Sequence, residues 1–343
     1  MSTAAPAWRS VTALFFILLL AGCAGNGAAP PTRDDPLIDQ IIDTRSGQPM
    51  TYEALLARAL EADVVYLGER HDNVEHHARQ LRLLSSMIEA GVQPALGFEF
   101  FDVGQTGFLA QYVSGQRSGM QLGHGKSGKT PEQWLREQLG WQDQEDEYWG
   151  FYFQLIELAR EHRLPIFGAD LPAGIKLRIS RSGLEGLNAI ERQQLVRTGL
   201  DDPAYRALMY EQFKAGHCGW GMEPLLTRLY ETWLARNDRM AASVVAMHRA
   251  RPEAPVVLIV GSGHVRRDQG VPERAQFLAK EPLTQLNIGM QEIRIEPTPL
   301  ADYMESLEVE GKVFAPPHQV LWFSQRQDYD DPCAALNKPA QGD

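Results

Sequence analysis

The chain has 343 residues, 44% of them hydrophobic, with 33 Lys and Arg against 44 Asp and Glu. That apolar content supports a substantial core and excludes disordered and collagen-like chains. A formal charge of −11 excludes nucleic acid as a partner, because phosphate binding needs a basic face.

Residues 1–22 read as an export signal: Arg9, an apolar run from Val11 to Leu20, then small residues. The run is about ten residues, half of what a membrane-spanning helix needs. Leu20-Ala21-Gly22-Cys23 resembles the bacterial lipobox, so Cys23 is the expected acylation (palmitate) site and the new N-terminus. Ala24 stands where an Asp would favour inner-membrane retention, which makes the outer membrane of a Gram-negative cell, on its periplasmic or surface face, the expected location. The alternative is a plain cleaved signal peptide with an incidental Cys. Removing residues 1–22 takes away Arg9 and leaves 321 residues with a net charge of −12. Residues 23–35 form a Gly/Ala/Pro tether. In an exported protein Cys218 and Cys333 can pair or remain free thiols.

Beyond the tether, Pro36–Asp43 reads as a strand and Ser46–Pro49 as a turn. Thr51 caps a helix over Tyr52–Glu61. Val64–Gly68 is a buried strand, and the steps of three and four between Val74, Ala78, Leu81, Leu84 and Ile88 predict a helix over Asn73–Glu89, ended by Gly91. Ala95–Phe100 is a second buried strand. The helix Tyr148–His162 leads to a third, Leu164–Ala169. Residues 172–233 carry no buried-strand runs and read as an inserted helical subdomain, with helices at Asn188–Thr198 and Pro203–Phe213. A long helix, Leu225–Met247, returns to a fourth strand, Pro255–Val260. Gln291–Ile295 and Val313–Phe323 are expected as edge strands, and residues 326–343 as a polar tail. Short apolar strands alternating with helices define an α/β fold: a mostly parallel sheet flanked by helices, formed by residues 36–171 and 234–325, with a smaller inserted helical subdomain.

In an open parallel sheet, function gathers beyond the carboxyl ends of the strands. Four ends carry Glu69 with His71 and Asp72, Glu99, Asp170, and Gly261-Ser262-Gly263-His264. Glu69, His71, Glu99 and His264 would face one crevice, with Asp72, Asp170, Gly261 and Gly263 around them. This is the composition of a general acid/base cluster or of a divalent-metal site ligated by His71 and His264. Glu69 and Asp72 also suit the start of the following helix, and a lone histidine suits a structural role. His76 and His77, one turn further on, divide between surface and support.

Val65-Tyr66-Leu67-Gly68-Glu69-Arg70-His71-Asp72-Asn73, Gly97-Phe98-Glu99-Phe100-Phe101, Asn237-Asp238-Arg239-Met240-Ala241 and Val260-Gly261-Ser262-Gly263-His264-Val265 together resemble the ChaN family of haem-binding lipoproteins in the Tiki superfamily. The resemblance spans about residues 38–280 and agrees with the lipobox. It implies a haem-binding lipoprotein serving haem and iron acquisition with outer-membrane receptor or transport components, a homodimer in which two haems stack face to face, and tyrosine ligation of iron. A binding protein is therefore expected before an enzyme. The same superfamily includes erythromycin esterases and Tiki proteases, which use residues similar to Glu69, His71, Glu99 and His264. Those esterases carry Gly-Glu-x-x-His, whereas one residue separates Glu69 from His71, so hydrolysis stands as the alternative activity.

A porphyrin needs an axial ligand, an apolar slot and cationic or histidine partners for its propionates. Tyr210 and His217, seven apart in the helical insertion and followed by Met222, are candidates. Tyr148 and Tyr152, one turn apart on a helix, are rivals. The string Gly123–Thr130 matches G-x-x-x-x-G-K-[ST], yet no buried strand precedes it. Pro131 suits the first helical position, which makes Thr130 the cap and leaves Lys129 outside, so no nucleotide site is expected.

Overall fold

The computed structural model describes residues 34–115, 129–219, 221–329 and Cys333. The export signal, Cys23, the tether up to Arg33, residues 123–128 and most of the tail lie outside the described residues.

In chain order the elements are β1 (Ile41–Asp43), β2 (Gln48–Pro49), α1 (Tyr52–Glu61), β3 (Val64–Glu69), α2 (Val74–Glu89), β4 (Ala95–Asp102), α3 (Thr106–Ser114), α4 (Pro131–Gln138) and α5 (Asp146–Glu161). They continue as β5 (Ile166–Asp170), α6 (Ala173–Ser182), α7 (Ala189–Gln193), α8 (Pro203–Gly216), α9 (Leu225–Ala250), β6 (Val256–Gly261) and α10 (Val271–Ala279). The chain closes with β7 (Gln285–Glu292), α11 (Leu300–Tyr303), β8 (Leu307–Val309), β9 (Lys312–Phe314) and β10 (Val320–Ser324). Thr51 and Asn73 cap α1 and α2 with their side chains, as the sequence predicts.

Eight strands form one sheet in the order β2-β1-β10-β7-β3-β6-β4-β5. From β10 to β5 every neighbour runs parallel, and β1 and β2 add antiparallel at one edge. Successive side chains of the central strands go to opposite faces, and both faces are covered. Val65, Leu67, Leu96, Phe98, Val257 and Ile259 pack beneath α1, α2 and α5. Tyr66, Val256, Leu258 and Val260 pack against Met240, Ala241 and Val244 of α9 and Val271 and Ala275 of α10. Each such aliphatic side chain contributes about 1.5–3 kcal/mol by leaving water. That is why these strands are continuous apolar runs.

Two expectations fail for identifiable reasons. The late strands are not edges: β7 and β10 lie inside the sheet, and β2 and β5 are the outer strands. Polar residues at alternate positions of β7 hide it in the sequence, but Leu286, Ile288 and Met290 face the core, and Asn287 Nδ2 is held by the carbonyl of Val265 at 2.6 Å. Val313 and Phe323 belong to different strands, β9 and β10, and Val313 is exposed in the β8–β9 hairpin. The helix expected over Asn188–Thr198 covers only Ala189–Gln193, because Asp238 takes the backbone N–H and hydroxyl of Thr198 at 3.1 and 2.6 Å.

Helix α9 joins the two parts of the chain. Its first half packs with Tyr205, Leu208 and Met209 of α8 through Tyr230, and with Ile175 and Ile179 of α6 through Ala235. Its second half lies on the sheet. At the junction Asp238 pairs with Arg274 of α10 at 2.5 Å, both nearly buried. Cys218 and Cys333 are joined by a disulfide, with Cα atoms 5.5 Å apart. Asp238→Ala leaves the Arg274 charge buried without its partner and is expected to cost about 3–5 kcal/mol. Urea unfolding measures this, and a loss near zero would show that the junction does not depend on the pair.

Candidate functional site

The parallel strands end on one edge of the sheet, and their register sets the site. Glu69, the last residue of β3, is opposite Gly261, the last of β6. Glu99 lies in the stretch of β4 between Phe98 and Asp102 where the register with β5 shifts, an irregularity of the kind that re-aims a side chain. Asp170 ends β5, and His264 follows β6 in a single 3-10 turn. An open cleft of about 450 Å³ results, lined by Glu69, His71, Glu99, Arg236, Gly261 and His264 among others.

Two Glu–His pairs face each other. In the first, His71 Nδ1 lies 3.1 Å from Glu69 Oε1. Glu69 is buried and receives the Tyr152 hydroxyl at 2.6 Å and Gln80 Nε2 at 2.5 Å, so each of its oxygens has a donor. In the second, His264 Nε2 lies 3.4 Å from Glu99 Oε1, while its Nδ1 meets Asn237 Oδ1 at 2.5 Å and its ring stacks on Trp233 at 3.9 Å. Glu99 Oε2 accepts the backbone N–H of Gly261 at 2.6 Å. Its Oε1 accepts from Arg236 at 2.5 Å. The same guanidinium donates to Asp170 Oδ2 at 2.9 Å, and Lys176 reaches that oxygen at 2.7 Å.

These surroundings separate the titrations. Burial alone pushes the Glu99 carboxyl up, but the facing His264 and Arg236 outweigh it and hold the group well below the usual carboxylate range. Burial also pushes His264 down despite the Glu99 carboxylate, while Arg236 stands charged beside both. Burial acts the same way on His71, but the bond to Glu69 and the charges of Glu99 and Glu69 reverse it and raise the imidazole above its ordinary value. Because the Glu99 value is depressed, its contribution to stability is present above the ordinary 4.5 and is lost as pH falls through the folded value.

Most residues expected at the site are gathered here. Gly261 is required by close packing, since a Cβ there would stand 2.8 Å from His71 Cε1. At Gly263 it would stand 3.1 Å from Trp233. Asp72 lies at the rim, paired with Arg70 at 2.7 Å, and Arg70 also reaches Glu292 at 2.8 Å. His76 and His77 are both buried, which removes the expected surface role. His77 Nε2 donates to the carbonyl of His71 at 2.9 Å and so fixes the loop carrying it, while desolvation pushes His76 down to about 3. Tyr152 is at the floor, Tyr148 stacks on Trp141 beside it, and Tyr210 and His217 lie on α8 away from the cleft lining. Sequence reasoning missed Arg236. Its signal is indirect: two buried carboxylates at adjacent strand ends require a cation, and Arg236 directly precedes the Asn237-Asp238 stretch.

The donor set suits a divalent cation poorly, since the Arg236 guanidinium already places a positive charge on Glu99 Oε1 and Asp170 Oδ2. Among the described residues no group of three or more His, Cys, Asp or Glu is placed to hold one. Of the Gly123–Thr130 string only Lys129 and Thr130 are among the described residues: Thr130 caps α4, Pro131 takes its first turn, and Lys129 pairs with Glu137 at 2.7 Å.

A parallel α/β sheet with a charged crevice at its strand ends and a helical lobe beside it defines the class of protein. The chain belongs to the haem-binding uptake family of the Tiki superfamily, ChaN, whose model matches residues 55–275. Among solved structures it is similar to ChaN of Campylobacter jejuni, described for cofacial haem binding, with a TM-score of 0.56 and 16% identity over 82% of this chain and 95% of that one. It is also similar to a mutant erythromycin esterase EreC in its open conformation, with a TM-score of 0.41 and 15% identity over 75% of this chain and 77% of that one. These identities show the fold alone. No curated protein matches by sequence.

In a histidine NMR titration, His71 is expected to titrate above 6.5 and His264 below it, and Glu69→Gln should bring the His71 midpoint down. Coincident midpoints near the ordinary value would contradict the two-pair arrangement.

Proposed function

We propose that this chain binds haem and serves haem and iron acquisition as a lipoprotein anchored through Cys23 to the outer membrane. Its family membership over residues 55–275 carries the reading. The proposal includes a homodimer as the binding form and a membrane haem receptor or transport component as the source of haem. A lipid on Cys23 would hold it at the membrane surface. Among the described residues no helix is long and apolar enough to cross a membrane.

The residues can be tested against a porphyrin. The crevice does not suit one: Glu69, Glu99 and Glu292 line it and repel anionic propionates. Tyr152 does not suit iron, because burial and the Glu69 carboxylate raise its phenol and disfavour the phenolate that a ferric ion needs. Tyr148 is raised by burial as well. Helix α8 does fit. Tyr210 is half-buried, with its hydroxyl 3.2 Å from Thr227 Oγ1, and Phe213, Lys214 and His217 follow within two turns. His217 is exposed, and its Nδ1 donates to the carbonyl of Phe213 at 2.6 Å, which leaves Nε2 for an outside partner. Met222, 80% exposed, and Leu225 supply apolar surface nearby in the chain. Tyr210 is thus the favoured ligand, with Lys214 and His217 as propionate partners. The bound haem would supply iron coordination as cargo, while these residues orient it.

Hemin added to the full-length chain in detergent should give a saturable Soret band, and Tyr210→Phe should weaken binding about tenfold, or 1.4 kcal/mol. Absence of saturation in the unaltered chain would sink the haem reading.

The two Glu–His pairs favour a second reading, metal-free hydrolysis in the crevice with His71, oriented by Glu69, as the general base. On any ester or amide the protein is found to cleave, His71→Ala should abolish turnover while leaving hemin binding intact.

A further inference from the structure

The outward face of the helical lobe has a composition at odds with the rest of the chain. Residues 172–200 carry Lys176, Arg178, Arg181, Arg192 and Arg197 against Glu185 and Glu191, a net charge of +3 in a chain of −11. Helix α6 turns Ile175 and Ile179 into the core, which leaves Leu177, Arg178 and Arg181 outward. Arg178 pairs with Glu191 of α7 at 2.8 Å and so brings the two short helices side by side. Arg192, also exposed, donates to the carbonyl of Glu185 at 2.8 Å. The same two helices carry two large aliphatic side chains in water, Leu177 at 49% and Ile190 at 71% exposure. Every other charged residue in this stretch is exposed except Lys176, which is spent on Asp170, and Glu191.

We infer that α6 and α7 form a docking face for an anionic phospholipid surface: Arg178, Arg181 and Arg192 meet headgroup phosphates, and Leu177 and Ile190 enter the boundary beneath them. Exposed aliphatics ringed by Arg are the composition of an interfacial helix face, where area burial and headgroup attraction act together. A chain of net charge −11 is repelled by an anionic bilayer as a whole, so a local positive face favours the side that turns to the membrane. Because only Leu171 and Pro172 separate Asp170 from α6, docking through this face sets the crevice rim at a fixed attitude to the bilayer. The inference stands apart from haem binding and from acylation of Cys23.

The test uses the chain from Ala24 onward, which contains every described residue and carries no acylated Cys. It is sedimented with vesicles of phosphatidylglycerol and phosphatidylcholine in equal parts, or of phosphatidylcholine alone. Binding is expected on the anionic vesicles only, with loss in high salt. Arg181→Glu with Arg192→Glu should weaken it at least tenfold, and Leu177→Ser with Ile190→Ser at least threefold, with hemin titrations unchanged in both. Equal binding to both vesicle types, or vesicle binding that ignores both double variants, would overturn the proposal. A fall in hemin affinity in step with vesicle binding would also overturn it, by assigning the face to the porphyrin. The two double variants change exposed side chains only, and unchanged circular dichroism confirms that they fold.

Discussion

Arg236 is the residue on which the site depends. Two buried carboxylates, Glu99 at the end of β4 and Asp170 at the end of β5, lie close enough to share one guanidinium, at 2.5 and 2.9 Å. Burying two like charges at one sheet edge is costly, and the shared guanidinium offsets that cost, with Lys176 as a second cation on Asp170. Arg236 comes from α9, so the charge that makes the strand ends tolerable also docks the long helix against them. Placement of the helical lobe and ionisation of the crevice are therefore one constraint, since α9 carries Tyr230 and Ala235 to the lobe and Met240 and Val244 to the sheet.

Much of this was legible in the sequence because burial on both faces leaves a strong trace. Val64–Gly68 and Val256–Val260 form unbroken runs without a charge, and Glu69 after the first and Ser262 and His264 after the second mark where the sheet opens to solvent. The convergence of Glu69, Glu99, Asp170 and His264 followed from strand ends alone. What escaped was whatever depended on partners distant in the chain. β7 alternates because one of its faces meets Val265 and His318 rather than a wide apolar layer, so Gln285–Glu292 lacked a run. Thr198 stops being helical only because Asp238, 40 positions later, captures it. Arg236 sat within a helix whose period explained it as an ordinary surface residue. His76 and His77 followed the helix pattern correctly, but which side of α2 meets β10 and α5 could not be read locally.

The crevice and α8 are chemically distinct yet physically joined. Trp233 stacks on His264 at 3.9 Å, and Phe213 of α8 meets the other part of the same indole at 5.9 Å, edge to face. A single aromatic ring therefore separates the His264 imidazole of the crevice from the helix that carries Tyr210 and ends at His217. Packing of this kind keeps the lobe rigid against the sheet, because neither ring can turn without opening a void.

Charge gives the last constraint. A chain with a formal charge of −11 repels an anionic porphyrin at long range, so any favourable approach must come from local cations within about a Debye length of 8–10 Å. The crevice cations cannot serve, since Arg236 and Lys176 are spent on Glu99 and Asp170 and Arg70 on Glu292 and Asp72. Among the described residues, exposed cations without a carboxylate partner include Arg181 and Arg192 on the lobe and Arg45, Arg82, Arg163 and Lys280 on the rest of the chain. The strand ends use their cations inwardly to hold buried carboxylates, while α6 and α7 turn Arg178, Arg181 and Arg192 outward, so the crevice and the lobe present opposite electrostatic solutions within one chain.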